Sequence, residues 1–187
     1  MADIIIVGAG PAGASAALFT AKAGKQTIVI DSDQSVTKRA WVENHYGVAE
    51  ISGPDLIRLG KEQASKFGAQ LVQGKVTSIV KEDGVFRVST DEASYEAKHV
   101  ILATGFLTDL AEAAGLQTKP GTEPRVKTVF DVDAAGQTNV EGIWAAGTAA
   151  GVSVHTIITA GDGAKVAINV VSALNGERYV DHDVLKG

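Results

Sequence analysis

Apolar residues recur along the chain in short blocks with two different spacings. Residues 3–7 (Asp3-Ile4-Ile5-Ile6-Val7) and 26–30 (Gln26-Thr27-Ile28-Val29-Ile30) are nearly continuous apolar runs, the pattern of strands covered on both faces. The alanine-rich stretch between them predicts a helix from Pro11 to about Ala23. After Ser52-Gly53-Pro54-Asp55, apolar residues at Leu56, Ile57, Leu59, Ala64 and Phe67 follow helical spacing, so a second helix is expected to about Phe67, stopped by Gly68. Residues 70–80, 84–90 and 94–98 read as short strands between turn residues such as Glu82-Asp83-Gly84. The alternation in Val85-Phe86-Arg87-Val88 suits a half-buried antiparallel strand, so these segments predict a β-meander set into an α/β chain. His99-Val100-Ile101-Leu102 returns to the buried-strand pattern and ends in Ala103-Thr104-Gly105. Beyond it the pattern predicts a short helix over 108–114, a loop over 119–125, a strand over 126–132, a last strand and turn over 142–147, and a closing helix from Val154 to about Leu174.

Residues 32–48 fit neither spacing. They are polar and irregular, yet carry Trp41, Glu43, Asn44, His45 and Tyr46. A loop of that length in a compact domain is usually functional or disordered, and its aromatic side chains point to function.

The first strand runs into Gly8-Ala9-Gly10-Pro11-Ala12-Gly13, and the second ends in Asp31. This is a dinucleotide-binding fingerprint in a strand–helix–strand setting. Gly8 permits a tight turn, Gly10 lets backbone approach a pyrophosphate, and Gly13 lets the helix lie close on the sheet. Phosphates favour the N–H groups and dipole of a helix N-terminus, where Pro11 loses nothing by lacking an N–H. Asp31 is placed to accept hydrogen bonds from a ribose, and Lys38 follows it closely enough to touch a cofactor phosphate.

Composition narrows the partners. With 187 residues, 45% of them hydrophobic, the chain can bury a substantial core but has no room for two full nucleotide-binding domains. A net charge of −5 without a basic cluster argues against nucleic acid or an anionic membrane as partner. The apolar runs read as too short to span a membrane, so the expected location is the cytoplasm. The sequence holds no cysteine, which removes thiolate chemistry, and His45, His99, His155 and His182 lack metal-ligand spacing, so no metal is expected.

Taken together, these pieces resemble the FAD-binding part of thioredoxin-reductase-like flavoproteins. The match rests on the first glycine motif with Asp31, Val42-Glu43-Asn44 before Ser52-Gly53-Pro54, the meander, Ala103-Thr104-Gly105, Gly142-Ile143-Trp144-Ala145-Ala146-Gly147 and Thr159-Ala160-Gly161-Asp162-Gly163-Ala164. The resemblance implies a three-layer FAD/NAD(P)-binding Rossmann-like fold with a parallel sheet and a β-meander. It implies one domain over 1–187, whose parts 1–105 and 106–187 build a single FAD site. Gly8, Gly10, Pro11, Ala12 and Gly13 would then hold the pyrophosphate, Asp31 the ribose, and backbone at Val76 the adenine. Ala103, Thr104 and Gly105 would pass near the cofactor, Gly147 and Thr148 would meet the ribityl chain, and His155 and Thr156 the flavin pyrimidine. Trp41, Asn44 and His45 are expected near the reactive face.

Three departures from the family shape the functional expectation. The interval between Gly105 and Gly142 is too short for the family's NADPH domain, the Cys-x-x-Cys pair is missing, and Thr148 stands where an aspartate is usual. The expectation is a FAD-dependent oxidoreductase without disulfide chemistry, taking hydride or electrons from an external donor: NAD(P)H, another small molecule or a protein. A homodimer is also expected from the resemblance. The alternatives are a non-catalytic FAD module, redox sensor or subunit of a complex, and an NAD-dependent dehydrogenase. No catalytic acid or base can be named from the residues.

Overall fold

In the computed structural model, which describes residues 1–181 and 183–185, the first apolar run forms β1 (Ala2–Val7) and leads into α1 (Pro11–Lys22). The second run forms β2 (Thr27–Asp31). The polar stretch after it contains one 3₁₀ turn (Val36–Arg39) and two-residue strands β3 (Trp41–Val42) and β4 (Ile51–Ser52), paired antiparallel with Trp41 opposite Ser52. α2 (Gly53–Lys66) starts where the Ser52 hydroxyl accepts the Asp55 N–H at 3.2 Å. There follow β5 (Gln70–Gln73), β6 (Val76–Glu82), β7 (Val85–Thr90), β8 (Ser94–Leu102), α3 (Leu110–Ala113), β9 (Thr118–Pro120), β10 (Thr128–Phe130), β11 (Ile143–Ala145), a 3₁₀ turn (Gly147–Ala150) and α4 (Thr156–Asn175). His182 lies outside the described residues.

β5, β2, β1 and β8 lie side by side in parallel, and the free edge of β8 is divided between two partners. Its first half pairs antiparallel with β7, Ala97 facing Phe86, and its second half pairs parallel with β11, Val100 facing Ile143. β6 completes the meander against β7. The division follows the sequence: exposed and covered residues alternate from Ser94 to Lys98, whereas Val100, Ile101 and Leu102 are wholly buried, as a strand covered on both faces requires.

The sheet separates two apolar layers. Ile4, Ile6, Val29, Ile101 and Trp144 face the helices, against Ala16, Ala17, Val166 and Val170. Their neighbours Ile5, Val7, Ile30, Val100, Leu102 and Ile143 face the meander side, against Ile79, Phe86, Val88, Leu110 and Phe130. A register slip of one residue would exchange the two sets, so the double burial specifies the pairing.

The expected architecture is therefore present, with four local differences. Residues 70–80 do not form one meander segment: β5 joins the parallel sheet, with Ile28 opposite Gln70, and only β6 belongs to the meander. The predicted helix over 108–114 is reduced to Leu110–Ala113, and the strand over 126–132 to Thr128–Phe130. The closing helix is 20 residues long and, contrary to the sequence expectation, apolar enough by length and composition to cross a membrane. Part of its apolarity serves packing, since Val166, Ala167, Val170 and Val171 are buried in the helical layer. A Cβ on Gly163 would overlap the Ala12 carbonyl, so α1 and α4 meet at backbone distance.

Candidate functional site

The C-terminal ends of β1, β2, β8 and β11 all open onto one side of the sheet, the usual place for a ligand in this architecture. After β1, Gly8 takes φ +97°, and a Cβ there would stand 2.5 Å from the Ala103 carbonyl oxygen, which explains the glycine on both counts. Gly10 is the N-cap of α1; no side chain caps the helix, Pro11 follows, and the first turn holds no acidic residue. Its first-turn N–H groups and dipole thus form an uncompensated electropositive end.

Asp31 faces that end from β2. Its Oδ1 accepts the Ala9 N–H at 3.2 Å, and its Oδ2 pairs with Lys61 Nζ at 2.5 Å. The same lysine lies 3.7 Å from Asp33, which pairs with Lys38 at 2.5 Å. The hydrogen bond from Lys38 holds the Asp33 carboxyl below its ordinary range.

A single cavity of about 380 Å³ collects residues from both ends of the chain. Gly8, Gly10, Pro11 and Ala12 line it from the first turn and Asp31 from β2, with Val76 at the start of the meander. Ala103, Thr104 and Gly105 follow from β8, and Thr148 from the turn after β11. The remaining expected residues stand outside this lining. Gly13 is buried against the Gly8 carbonyl, where it has no room for a Cβ. Lys38 borders an outer groove with Pro54, Arg58 and Lys61. Trp41 is 61% exposed and Asn44 is exposed too, so neither is brought to the cavity. Gly147 is buried and gives its N–H to Asp162 Oδ2 at 2.8 Å. His155 is the exposed N-cap of α4, and Thr156 opens that helix, its hydroxyl 3.0 Å from Nδ1 of His45. Among the described residues, no cluster of three or more His, Asp or Glu side chains is placed to hold a metal ion.

Sequence reasoning missed several of the residues that shape this region. Ser35 limits the space above Gly10, whose Cβ would come within 3.1 Å of the serine hydroxyl. Phe106, Leu107 and Leu110 supply apolar wall, and Thr159 lines the cavity from α4. Asp162 lies in the Thr159-Ala160-Gly161-Asp162-Gly163 stretch that the motif comparison had already singled out, and that was its available signal. Lys61 carried none, since it meets Asp31 only through tertiary packing.

The chemistry of this lining suits a dinucleotide: an uncapped helix N-terminus for phosphates, a carboxylate for a ribose, and apolar walls at Val7, Ile30 and Val76 for rings. The family model described as pyridine nucleotide-disulphide oxidoreductase matches residues 2–129. The chain belongs to this family. Similar curated members are the thioredoxin reductases of Peptoclostridium acidaminophilum, 38% identical over 135 residues (70% of this chain, 43% of that protein), and of Treponema pallidum, 44% identical over 107 residues (55% and 35%). The chain thus spans less than half the length of these curated relatives. Two solved structures share its fold. The atypical thioredoxin reductase TRi from Desulfovibrio vulgaris Hildenborough superposes with TM-score 0.84 at 20% identity, covering 95% of this chain and 99% of that one. A thioredoxin reductase from Gloeobacter violaceus superposes with TM-score 0.80 at 18% identity, covering 98% and 99%. The fold is the family's Rossmann-like FAD-binding fold, and FAD is the family's cofactor.

Proposed function

We propose that residues 1–105 and 106–187 build one FAD-binding domain and that the chain is a FAD-dependent oxidoreductase drawing hydride or electrons from an external donor. The observation that carries this reading is the single cavity shared by Gly8–Ala12 and Asp31 from one end of the chain and by Thr148 and Thr159 from the other. FAD, when bound, supplies the electron chemistry, and the protein supplies binding, orientation and charge.

In this reading the N–H groups at the start of α1 hold the pyrophosphate, with Gly8, Gly10, Pro11 and Ala12 letting it approach. Gly13 acts behind them by keeping α1 on the sheet. Asp31 holds the adenosine ribose, oriented from behind by Lys61, and Val76 meets the adenine. Thr104 and Gly105 flank the cofactor, and the Thr148 hydroxyl bonds the ribityl chain more weakly than a carboxylate would. The N-terminus of α4, with His155 and Thr156, favours negative charge at the pyrimidine end, while Gly147 fixes the turn beside it. Lys38, Trp41 and Asn44 belong to the rim. These 187 residues hold no cysteine, so this chain offers no thiol to relay electrons.

We further propose a cytoplasmic homodimer; exposed Val154, Ile157 and Ile158 around the start of α4 supply apolar surface for a subunit contact. A second reading is a flavin module whose nicotinamide site comes from a partner chain. It is favoured by the interval between β8 and β11, which holds only α3 and the β9–β10 hairpin. Anaerobic mixing of the FAD-loaded chain with NADH and NADPH separates the two. Bleaching of the flavin within seconds supports the self-sufficient enzyme, and no bleaching with either nucleotide assigns the donor to another molecule.

A further inference from the structure

The loop after β2 is held against the start of α1 by α2. Gly53, the first residue of α2, gives its N–H to the Ala40 carbonyl at 2.8 Å. A Cβ on Gly53 would overlap the Thr37 carbonyl, so α2 and the 3₁₀ turn meet at backbone distance. Further along α2, a Cβ on Gly60 would stand 3.0 Å from the Ala14 Cβ of α1. α2 thus touches both the loop and α1 and fixes one against the other.

This frame sets Ser35 beside Gly10. Both residues line the cavity, and the serine Oγ stands 3.1 Å from the place a Gly10 Cβ would occupy. Oγ accepts the Thr37 N–H at 3.4 Å, longer than the ordinary span of about 2.7–3.2 Å, so capping the 3₁₀ turn takes little from it. A serine hydroxyl also donates, and here its hydrogen has no acceptor among the described residues. A half-buried hydroxyl with a free hydrogen therefore adjoins a helix start that has neither a side-chain cap nor an acidic residue in its first turn.

We propose that the Ser35 hydroxyl is an anion-binding donor that completes the site at the start of α1 by hydrogen-bonding a phosphate oxygen of the ligand's diphosphate. The free N–H groups and dipole of α1 attract negative charge without fixing its direction, and Ser35 adds one directed, charge-assisted bond from the opposite wall. That Ser35 meets the diphosphate of FAD rests on the reading given above. Its position beside Gly10 does not, since α2 sets it.

The test separates binding from capping. Aspartate caps a helical turn about as well as serine, so Ser35→Asp keeps what Ser35 gives the fold while putting a negative charge into the anion site. Its urea midpoint should equal that of the wild type. Its FAD affinity, read on the full chain by quenching of flavin fluorescence, should fall by about a hundredfold or more. Ser35→Ala should lose about tenfold, the worth of one charge-assisted hydrogen bond. Without FAD, inorganic pyrophosphate should shift the backbone amide NMR signals of Gly10, Ala12 and Ser35 in the wild type and leave them in place in Ser35→Asp. FAD affinity unchanged in both variants overturns the proposal, as does a loss in Ser35→Asp matched by a lowered urea midpoint. Wild-type amides unmoved by pyrophosphate, or Ser35→Asp amides that still move, overturn it as well. A wild type that ignores FAD yet shows the pyrophosphate shifts refutes the FAD reading and leaves Ser35 as a phosphate donor.

Discussion

The buried carboxylate of Asp162 accepts the backbone N–H of Gly147 at 2.8 Å, tying the turn after β11 to α4. Its other oxygen meets Lys165 at 2.6 Å, so both sides of the acid are used. Asp162→Ala leaves a buried N–H without a partner, and the expected loss is about 1–3 kcal/mol, read as a lower urea midpoint. Asp162→Asn keeps an acceptor and should recover at least half of that loss. An alanine variant as stable as wild type would show that the turn is held by something else.

Two glycines on α4 should respond in opposite directions. Gly163 packs on the Ala12 carbonyl with no room for a methyl group, so Gly163→Ala is expected to cost at least about 1–3 kcal/mol. Gly161 is exposed, and a Cβ there would meet open space, so Gly161→Ala should stabilise by about 0.5–1 kcal/mol through helix propensity. Thermal unfolding of the two variants checks the packing of α1 on α4; equal effects would contradict it.

His99 gives the fold a pH dependence of defined sign. Its Nδ1 accepts the Trp144 indole N–H at 3.2 Å, and burial is the main cause holding its pKa below the ordinary 6.5. The unfolded chain therefore takes up the proton first as pH falls. The contribution is complete above pH 6.5 and is lost as pH drops from there through the lower folded value. Urea unfolding followed by tryptophan fluorescence on either side of that pH should show the loss in wild type. A His99→Gln variant should show less of it; identical slopes would remove His99 as the cause.

What was legible in the sequence was whatever local chemistry dictates. The β1–turn–α1 unit could be read because buried-strand runs, a glycine turn and an uncapped helix start occupy adjacent positions. β8 could be read as buried because Val100-Ile101-Leu102 lacks a polar face. β5 was harder to read: Gln70, Leu71 and Gln73 are exposed on an edge strand, so nothing local marks it as part of the parallel sheet. Side-chain direction in residues 32–50 was also hidden, because the two-residue pairing of Trp41 with Ser52 decides it. Lys61 reaches Asp31 from a remote element and leaves no trace at short range. Asp31, which lines the cavity, could be read as a candidate acid, but not that a lysine would stand behind it.

Titration of the purified, unliganded chain with FAD, followed by quenching of flavin fluorescence, tests the central claim that both ends of the chain build one cofactor site. The account predicts one FAD per chain. Affinity should fall by roughly tenfold or more in Asp31→Ala, where a charge-assisted contact is lost. It should fall by about fivefold in Thr148→Val, where a single neutral hydroxyl is removed. A folded chain that fails to take up FAD, or one whose affinity is unchanged by both substitutions, would contradict it.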